Sequence, residues 1–182
     1  MKYSIIITIG VLIASIVSIP VVFSEDDLRE YRQHSIGVAP VSSPVYKAEC
    51  SSCHMAYPPG LLPARSGKKI MGSLDMHYGD NAELTPEAFK QVSEFLLANS
   101  ADGSDYRRSR KIMNSLSDTD VPVRITETPY IVNKHDEVPD RMVKYNDKVR
   151  SLSNCNACHA KAEQGIFSEH GVNIPGFGRW DD

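Results

Sequence analysis

The sequence predicts a mainly α-helical fold with extensive loops. Apolar residues recur at helical spacing in several segments, convincing alternating strand patterns are few, and prolines and glycines interrupt the periodic stretches. Proline lacks the backbone N–H that a helix interior needs, and glycine lacks the side chain that restrains the backbone. We therefore expect short helices joined by long loops rather than one large apolar core.

The N-terminal residues resemble a secretory signal. Lys2 provides a short positive region, residues 3–23 contain no charge, and Val22 and Ser24 fit the positions before a signal-peptidase cleavage site. We therefore predict residues 1–24 to be a signal peptide and the mature chain to be periplasmic. The alternative is an uncleaved membrane anchor, since the apolar run is close to the length that spans a bilayer.

Both C-x-x-C pairs of the chain are followed directly by histidine, in residues 50–54 and 155–159. This is the spacing of c-type haem attachment, in which two thiols bond to one porphyrin and the histidine binds its iron. A zinc site, a thioredoxin-like redox pair or two disulfides would leave the paired histidines unexplained. We predict two covalent haem c groups, attached at Cys50, Cys53, Cys155 and Cys158, with His54 and His159 as the proximal iron ligands.

The segments before residue 100 contain two predicted helices. Residues 25–44 are polar and predict an extended lead-in, and residues 55–63 predict a proline-rich apolar loop against one haem edge. Helical periodicity covers residues 66–77. Thr85 and Pro86 are typical of a helix start, and we expect this second helix to end near Asn99. Its apolar stripe is Phe89, Val92, Phe95 and Leu96.

The segments after residue 100 predict further short helices. These are residues 111–116, a helix that begins at Thr128 and Pro129, and a helix whose stripe leads directly into the second haem motif. Residues 160–167 predict a turn of helix, and the tail from residue 170 is expected to be irregular. The polar stretch 100–110 predicts a boundary between a first haem domain, 25–100, and a second, 101–182. The last stripe is Met142, Tyr145, Val149 and Leu152.

Each iron needs a sixth ligand or an open position. For the first haem the helical pattern favours His77, which shares a predicted face with Ile70 and Leu74. For the second it favours His135, four residues after Ile131. The sequence leaves open the alternative in which His77 binds the second haem and His135 the first. The rival ligands are Met76, Met71, His170 and His34.

The chain resembles the dihaem cytochrome c family of bacterial periplasmic electron carriers between about residues 46 and 175. The resemblance lies in CSSCHMAYPPGLLPAR at 50–65, ITETPY at 125–130 with Lys134 and His135, and CNACHAKAEQG at 155–165. It implies two domains, a class-I-like N-terminal half and a more irregular C-terminal half, with two histidines on each iron. It also implies electron transfer to or from an oxygen-binding monohaem cytochrome c, or from a membrane cytochrome b.

These observations predict an electron carrier rather than an enzyme. Two histidines on each iron would lower the potentials relative to Met/His ligation and leave no open iron position. The alternatives are a dihaem enzyme such as a peroxidase with one open iron, or an electron-delivering subunit of a periplasmic reductase. Removal of the signal changes the formal charge from −3 to −4, and no long basic run supports nucleic-acid binding. We expect redox proteins as partners, with the membrane reached only through the signal or a partner.

Overall fold

The computed structural model describes residues 24–28 and 37–180, so residues 1–23 of the predicted signal and His34 lie outside the described part. The described part is mainly helical, as predicted, although residues 25–28 of the expected extended lead-in are helical. No helix within it is long and apolar enough to cross a membrane. Its further α-helices are α1 (Pro44–Cys50), α2 (Ala64–Met71), α3 (Pro86–Ala98), α4 (Arg107–Asn114), α5 (Pro129–Asn133) and α6 (Cys155–Cys158). Short 3₁₀ turns separate them, and strands β1 (Asn173–Ile174) and β2 (Gly178–Arg179) pair antiparallel near the C-terminus.

Helices α1, α2 and α3 pack together around one buried cluster. Helix α3 begins as predicted, because the Thr85 hydroxyl accepts a hydrogen bond from the Ala88 N–H (3.2 Å) and Pro86 occupies the first turn. Val92 is fully buried at its centre, whereas Phe89, which was predicted to belong to the same buried stripe, is 41% exposed. The cluster consists of Val41, Tyr46, Ala56, Met71 and Val92.

The predicted helix 66–77 is wrong at its C-terminal end. Helix α2 starts at Ala64 and ends at Met71, where Gly72 caps it, and a separate 3₁₀ turn covers Leu74–Met76. The N–H of Ser73 donates to the Ile70 carbonyl, which tightens the last turn and ends the α-helix. His77 therefore follows a 3₁₀ turn and does not share a helix face with Ile70.

A second buried cluster joins residues from before and after residue 100. Its members are Val38, Met55, Leu61, Ile112, Ala162 and Phe167. The stretch predicted as a domain boundary is packed against the first half, since the buried Ser109 hydroxyl donates to the Gly60 carbonyl (2.7 Å) and the Ala101 N–H donates to the Leu62 carbonyl (2.9 Å). The division at residue 100 stays a prediction.

The predicted helix through Met142 and Leu152 is wrong. Asp140–Met142 form a 3₁₀ turn, and turns continue from there to the second haem motif. The Asn146 side-chain amide donates to the carbonyls of Met142 (3.1 Å) and Pro175 (2.8 Å), and its oxygen accepts from the Lys148 N–H. Such local side-chain hydrogen bonds compete with the helical pattern. Tyr145 is consequently 71% exposed although it belonged to the predicted stripe.

Two other boundaries differ from the predictions. Helix α4 starts at Arg107 rather than at residue 111, and α5 ends at Asn133, so His135 lies just beyond its C-cap. The Thr128 hydroxyl does not cap α5 but donates to the Ile125 carbonyl (2.8 Å). The tail is irregular apart from the short β1–β2 hairpin.

Candidate functional site

None of the four cysteines is paired in a disulfide. Cys50 is the last residue of α1, and Cys155 and Cys158 are the two ends of α6. Burial raises the pKa of the Cys50 and Cys155 thiols to about 11. A thioredoxin-like pair depends on a lowered thiol pKa. Within the described residues, moreover, no group of three or more histidine, cysteine or acidic side chains is placed to hold a metal ion.

The first haem motif places His54 opposite His77. Their ring centroids are 6.3 Å apart and the ring planes are inclined by 31°. Nδ1 of His54 lies 2.7 Å from the Met55 carbonyl oxygen, which orients the ring with Nε2 away from the backbone. Burial, with the neighbouring His54, lowers the pKa of His77, which favours the neutral imidazole that binds metals.

The second haem motif places His159 opposite His135. The centroids are 6.2 Å apart, but these two ring planes are nearly perpendicular, at 81°. Nδ1 of His135 lies 2.8 Å from the Ile131 carbonyl oxygen, a contact typical of metal-binding histidines. Burial, together with His135 and Arg108, lowers the pKa of His159 to about 4, so this ring is also neutral.

Both separations fit two imidazoles on opposite sides of one metal ion. A metal–nitrogen bond of about 2 Å and about 1.1 Å from nitrogen to ring centroid give centroids about 6.2 Å apart. The predicted ligands are therefore brought together in the expected pairs. Of the rivals, Met76 is 72% exposed, Met71 is buried in the α1–α3 cluster, and His170 is exposed at the edge of the second site.

The second histidine pair lines a largely apolar cavity of about 270 Å³. Arg108 enters it from α4, held by a hydrogen bond to the Phe167 carbonyl (2.7 Å) and one to the Tyr130 hydroxyl (3.1 Å). Lys134 and Glu169 form an ion pair at its edge. The apolar lining includes Leu61, Ile125, Ile131, Val143, Val149 and Phe167. A flat apolar group with ionised edges fits such a lining.

Sequence reasoning missed the aromatic and basic residues around the histidines. The Tyr57 ring stacks on His54, with centroids 4.7 Å apart, and its hydroxyl donates to the Ser153 carbonyl (2.7 Å), two residues before Cys155. Burial raises the pKa of Tyr57 to about 12. Tyr57 lies in the predicted proline-rich loop, and nothing in the linear sequence indicates a contact with residue 153.

Comparisons with known proteins point to one family. The family model for dihaem cytochrome c matches residues 46–167. The chain is similar to the structure of the diheme cytochrome type c from Shewanella baltica, with 46% identity, a TM-score of 0.64, and coverage of 76% of this chain and 97% of that chain.

Two structures of Rhodobacter sphaeroides proteins are also similar. One diheme cytochrome c is 44% identical with a TM-score of 0.64, covering 71% of this chain and 100% of that chain. The structure of DHC purified from the same organism is 41% identical with a TM-score of 0.57, covering 70% and 99%. A comparison with curated protein sequences gave no match.

Proposed function

The chain belongs to the dihaem cytochrome c family and binds two covalently attached haem c groups, and we propose that it carries electrons in the periplasm to a cytochrome acceptor. Bound haem supplies a one-electron ferric/ferrous couple, and the family implies electron transfer. The predicted signal peptide supports export. The protein's own part is to attach, ligate and enclose the two groups.

The residue assignment is part of this proposal. Cys50 and Cys53 attach the first haem, and His54 and His77 are its two iron ligands. Cys155 and Cys158 attach the second, and His159 and His135 are its ligands. The observation that supports this most strongly is the separation of the two ring pairs, 6.3 and 6.2 Å, each between a motif histidine and one distant in sequence.

Filled axial positions decide between a carrier and an enzyme. Two histidines on an iron leave no position for a substrate, and without a thioether ligand the potential stays lower than with Met/His ligation. A dihaem enzyme such as a peroxidase needs one open iron. Each motif histidine has a second histidine nearby, which favours the electron carrier.

Carbon monoxide tests this choice on the native protein. The reduced protein should bind CO at neither haem within the time of mixing, and its oxidised spectrum should be low-spin at both. Rapid binding of one equivalent of CO, or a high-spin signal for half of the haem, would support the enzyme and contradict the carrier. Co-purification with a reductase would instead identify the protein as an electron-delivering subunit.

The proposed acceptor is a monohaem cytochrome c, and the family resemblance favours one that binds oxygen. The proposed donor is a membrane cytochrome b or a soluble protein. The acidic chain, with 23 acidic and 20 basic residues, favours a partner with a basic surface. Stopped-flow mixing of the reduced protein with oxidised monohaem cytochrome c should give a second-order rate that falls steeply with added NaCl. A rate independent of salt would contradict electrostatic steering.

A further inference from the structure

The turn that follows His77 contains an unusual residue. Tyr78 has φ of +54° and Gly79 has φ of +107°. The Asp80 N–H donates to the His77 carbonyl (3.2 Å). These features define a type I′ turn, whose first central position usually holds asparagine, aspartate or glycine. A tyrosine in the left-handed region is strained and persists only when surrounding contacts determine it.

Three contacts hold the Tyr78 side chain. Its ring packs edge-on against the His77 imidazole, with centroids 4.7 Å apart and planes at 68°. The Arg124 guanidinium carbon lies 4.1 Å from the centre of the same ring. The Tyr78 hydroxyl donates to the Val123 carbonyl. The ring thus stands between His77 and residues 123–124, which are more than forty positions away in sequence.

His77 has little else to fix its orientation. It follows a 3₁₀ turn instead of lying within a helix, and neither of its ring nitrogens hydrogen-bonds within the part of the chain that the structure describes. His54 and His135 differ, since Nδ1 of each contacts a backbone carbonyl oxygen. The ring contact with Tyr78 therefore restrains His77, as a hydrogen-bonding partner restrains other metal-binding histidines.

We infer that Tyr78, held by Arg124 and the Val123 carbonyl, is a positioning residue that keeps His77 on the first haem iron. This inference rests on the proposed ligand role of His77. The strained backbone at Tyr78 is retained because this position aims the ring at His77 and at residues 123–124 together. Tyr78 acts through His77, so this positioning role does not require Tyr78 to contact the haem.

Substitution of Tyr78 by asparagine separates positioning from folding. Tyr78→Asn creates an Asn-Gly pair, the preferred sequence for this turn, so the backbone strain is relieved while the ring is lost. Dissociation of His77 limits CO binding to the reduced first haem, and loss of one aromatic contact should therefore raise that rate about 3- to 10-fold. Tyr78→Phe keeps the ring and its contact with Arg124 but loses the hydrogen bond to the Val123 carbonyl, so its CO-binding rate should lie between the wild-type and Tyr78→Asn rates.

Controls make each result decisive. Tyr145→Asn removes another exposed tyrosine that also lies near a cation, Lys144, and should leave the CO rate unchanged. His77→Ala should give one rapidly CO-binding haem, which identifies the first-haem phase. If His77→Ala stays low-spin, the proposed ligand assignment fails. If His77→Ala opens the iron but Tyr78→Asn binds CO no faster than Tyr145→Asn, the positioning role of Tyr78 is overturned and the assignment stands.

Discussion

The two haem sites share one attachment pattern but lie in different surroundings. The first pairs His54 with His77, which lies on a turn beside the exposed Tyr78. The second pairs His159 with His135 at a cavity that also contains Arg108. The difference shows that the C-x-x-C-H motif determines where a haem attaches, while residues far from the motif determine its environment.

Ring orientation also differs between the sites. The imidazole planes are 31° apart in the first and 81° apart in the second. The relative orientation of two axial imidazoles controls the splitting of the iron d orbitals. The two oxidised haems should therefore be distinguishable although their proposed ligands are chemically identical.

Removal of single distal histidines should have the largest effect. His77→Ala should convert only the first haem to high-spin, and His135→Ala only the second, because each ring faces a different motif histidine. Low-temperature EPR with an optical spectrum measures this. His170→Ala is the matched control, since His170 is exposed at the edge of the same cavity as His135. A high-spin haem in His170→Ala would contradict the assignment of His135 as the ligand of the second haem.

The fold should depend on Gly165, which lies six residues after His159. Gly165 has φ of +75°, and a Cβ there would lie 2.3 Å from the Val38 carbonyl oxygen. Gly165→Ala should lower the free energy of unfolding by about 1–3 kcal/mol, measured by urea denaturation. Gly103→Ala is the control, because open space surrounds that position. Equal losses in both variants would contradict this account of Gly165.

Arg108 should raise the potential of the second haem relative to the first. A cation near the iron favours its reduced state, and the half-buried Arg108 lines the cavity beside His159. Arg108→Gln should lower one of the two midpoint potentials by tens of millivolts in a spectroelectrochemical titration. Arg110→Gln, an exposed change on the same helix, should leave both unchanged. A shift of both potentials by the same amount would show that Arg108 acts on the whole molecule.

The ion pair between Lys134 and Glu169, at the edge of the second site, should have the smallest effect, and this effect is on the free energy of unfolding. The hydrogen bond from Lys134 holds the pKa of Glu169 below its ordinary value of 4.5. This stabilisation is therefore present above pH 4.5 and is lost as the pH falls through the lowered pKa of the folded state. Because both side chains are largely exposed, Glu169→Gln should cost at most about 1 kcal/mol at pH 7.

Thermal unfolding at several pH values checks the ion pair. The difference in melting temperature between wild type and Glu169→Gln should shrink as the pH falls below 4.5. Glu163→Gln, at another exposed position near the second motif, is the control. A difference that grows at low pH would contradict the sign of this effect.

The attachment residues could be predicted from the sequence because their chemistry depends on linear spacing. The distal histidines are a different case. His77 was selected on a helix face that the structure does not contain, since α2 ends at Met71, yet its ring lies opposite His54. His135 likewise lies beyond the end of α5. A limited number of histidines, rather than the details of helical periodicity, made these predictions useful.

The remaining failures have a common physical cause. Periodicity in residues 142–152 predicted a helix, but hydrogen bonds from the Asn146 and Asn154 side chains to backbone carbonyls favour turns there. Contacts such as Tyr57 to Ser153 and Tyr78 to Val123 join segments distant in sequence. The local sequence pattern carries no information about such contacts, so the surroundings of both haems could be identified only from the structure.

Low-temperature EPR of the oxidised wild-type protein tests the central claim of two differently oriented bis-histidine haems. The first haem, with planes 31° apart, should give a rhombic low-spin signal with three resolved g values. The second, with planes 81° apart, should give a broad low-spin signal dominated by one large g value. The two signals should integrate to equal spin. A high-spin signal at half intensity, or two identical rhombic signals, would contradict the account.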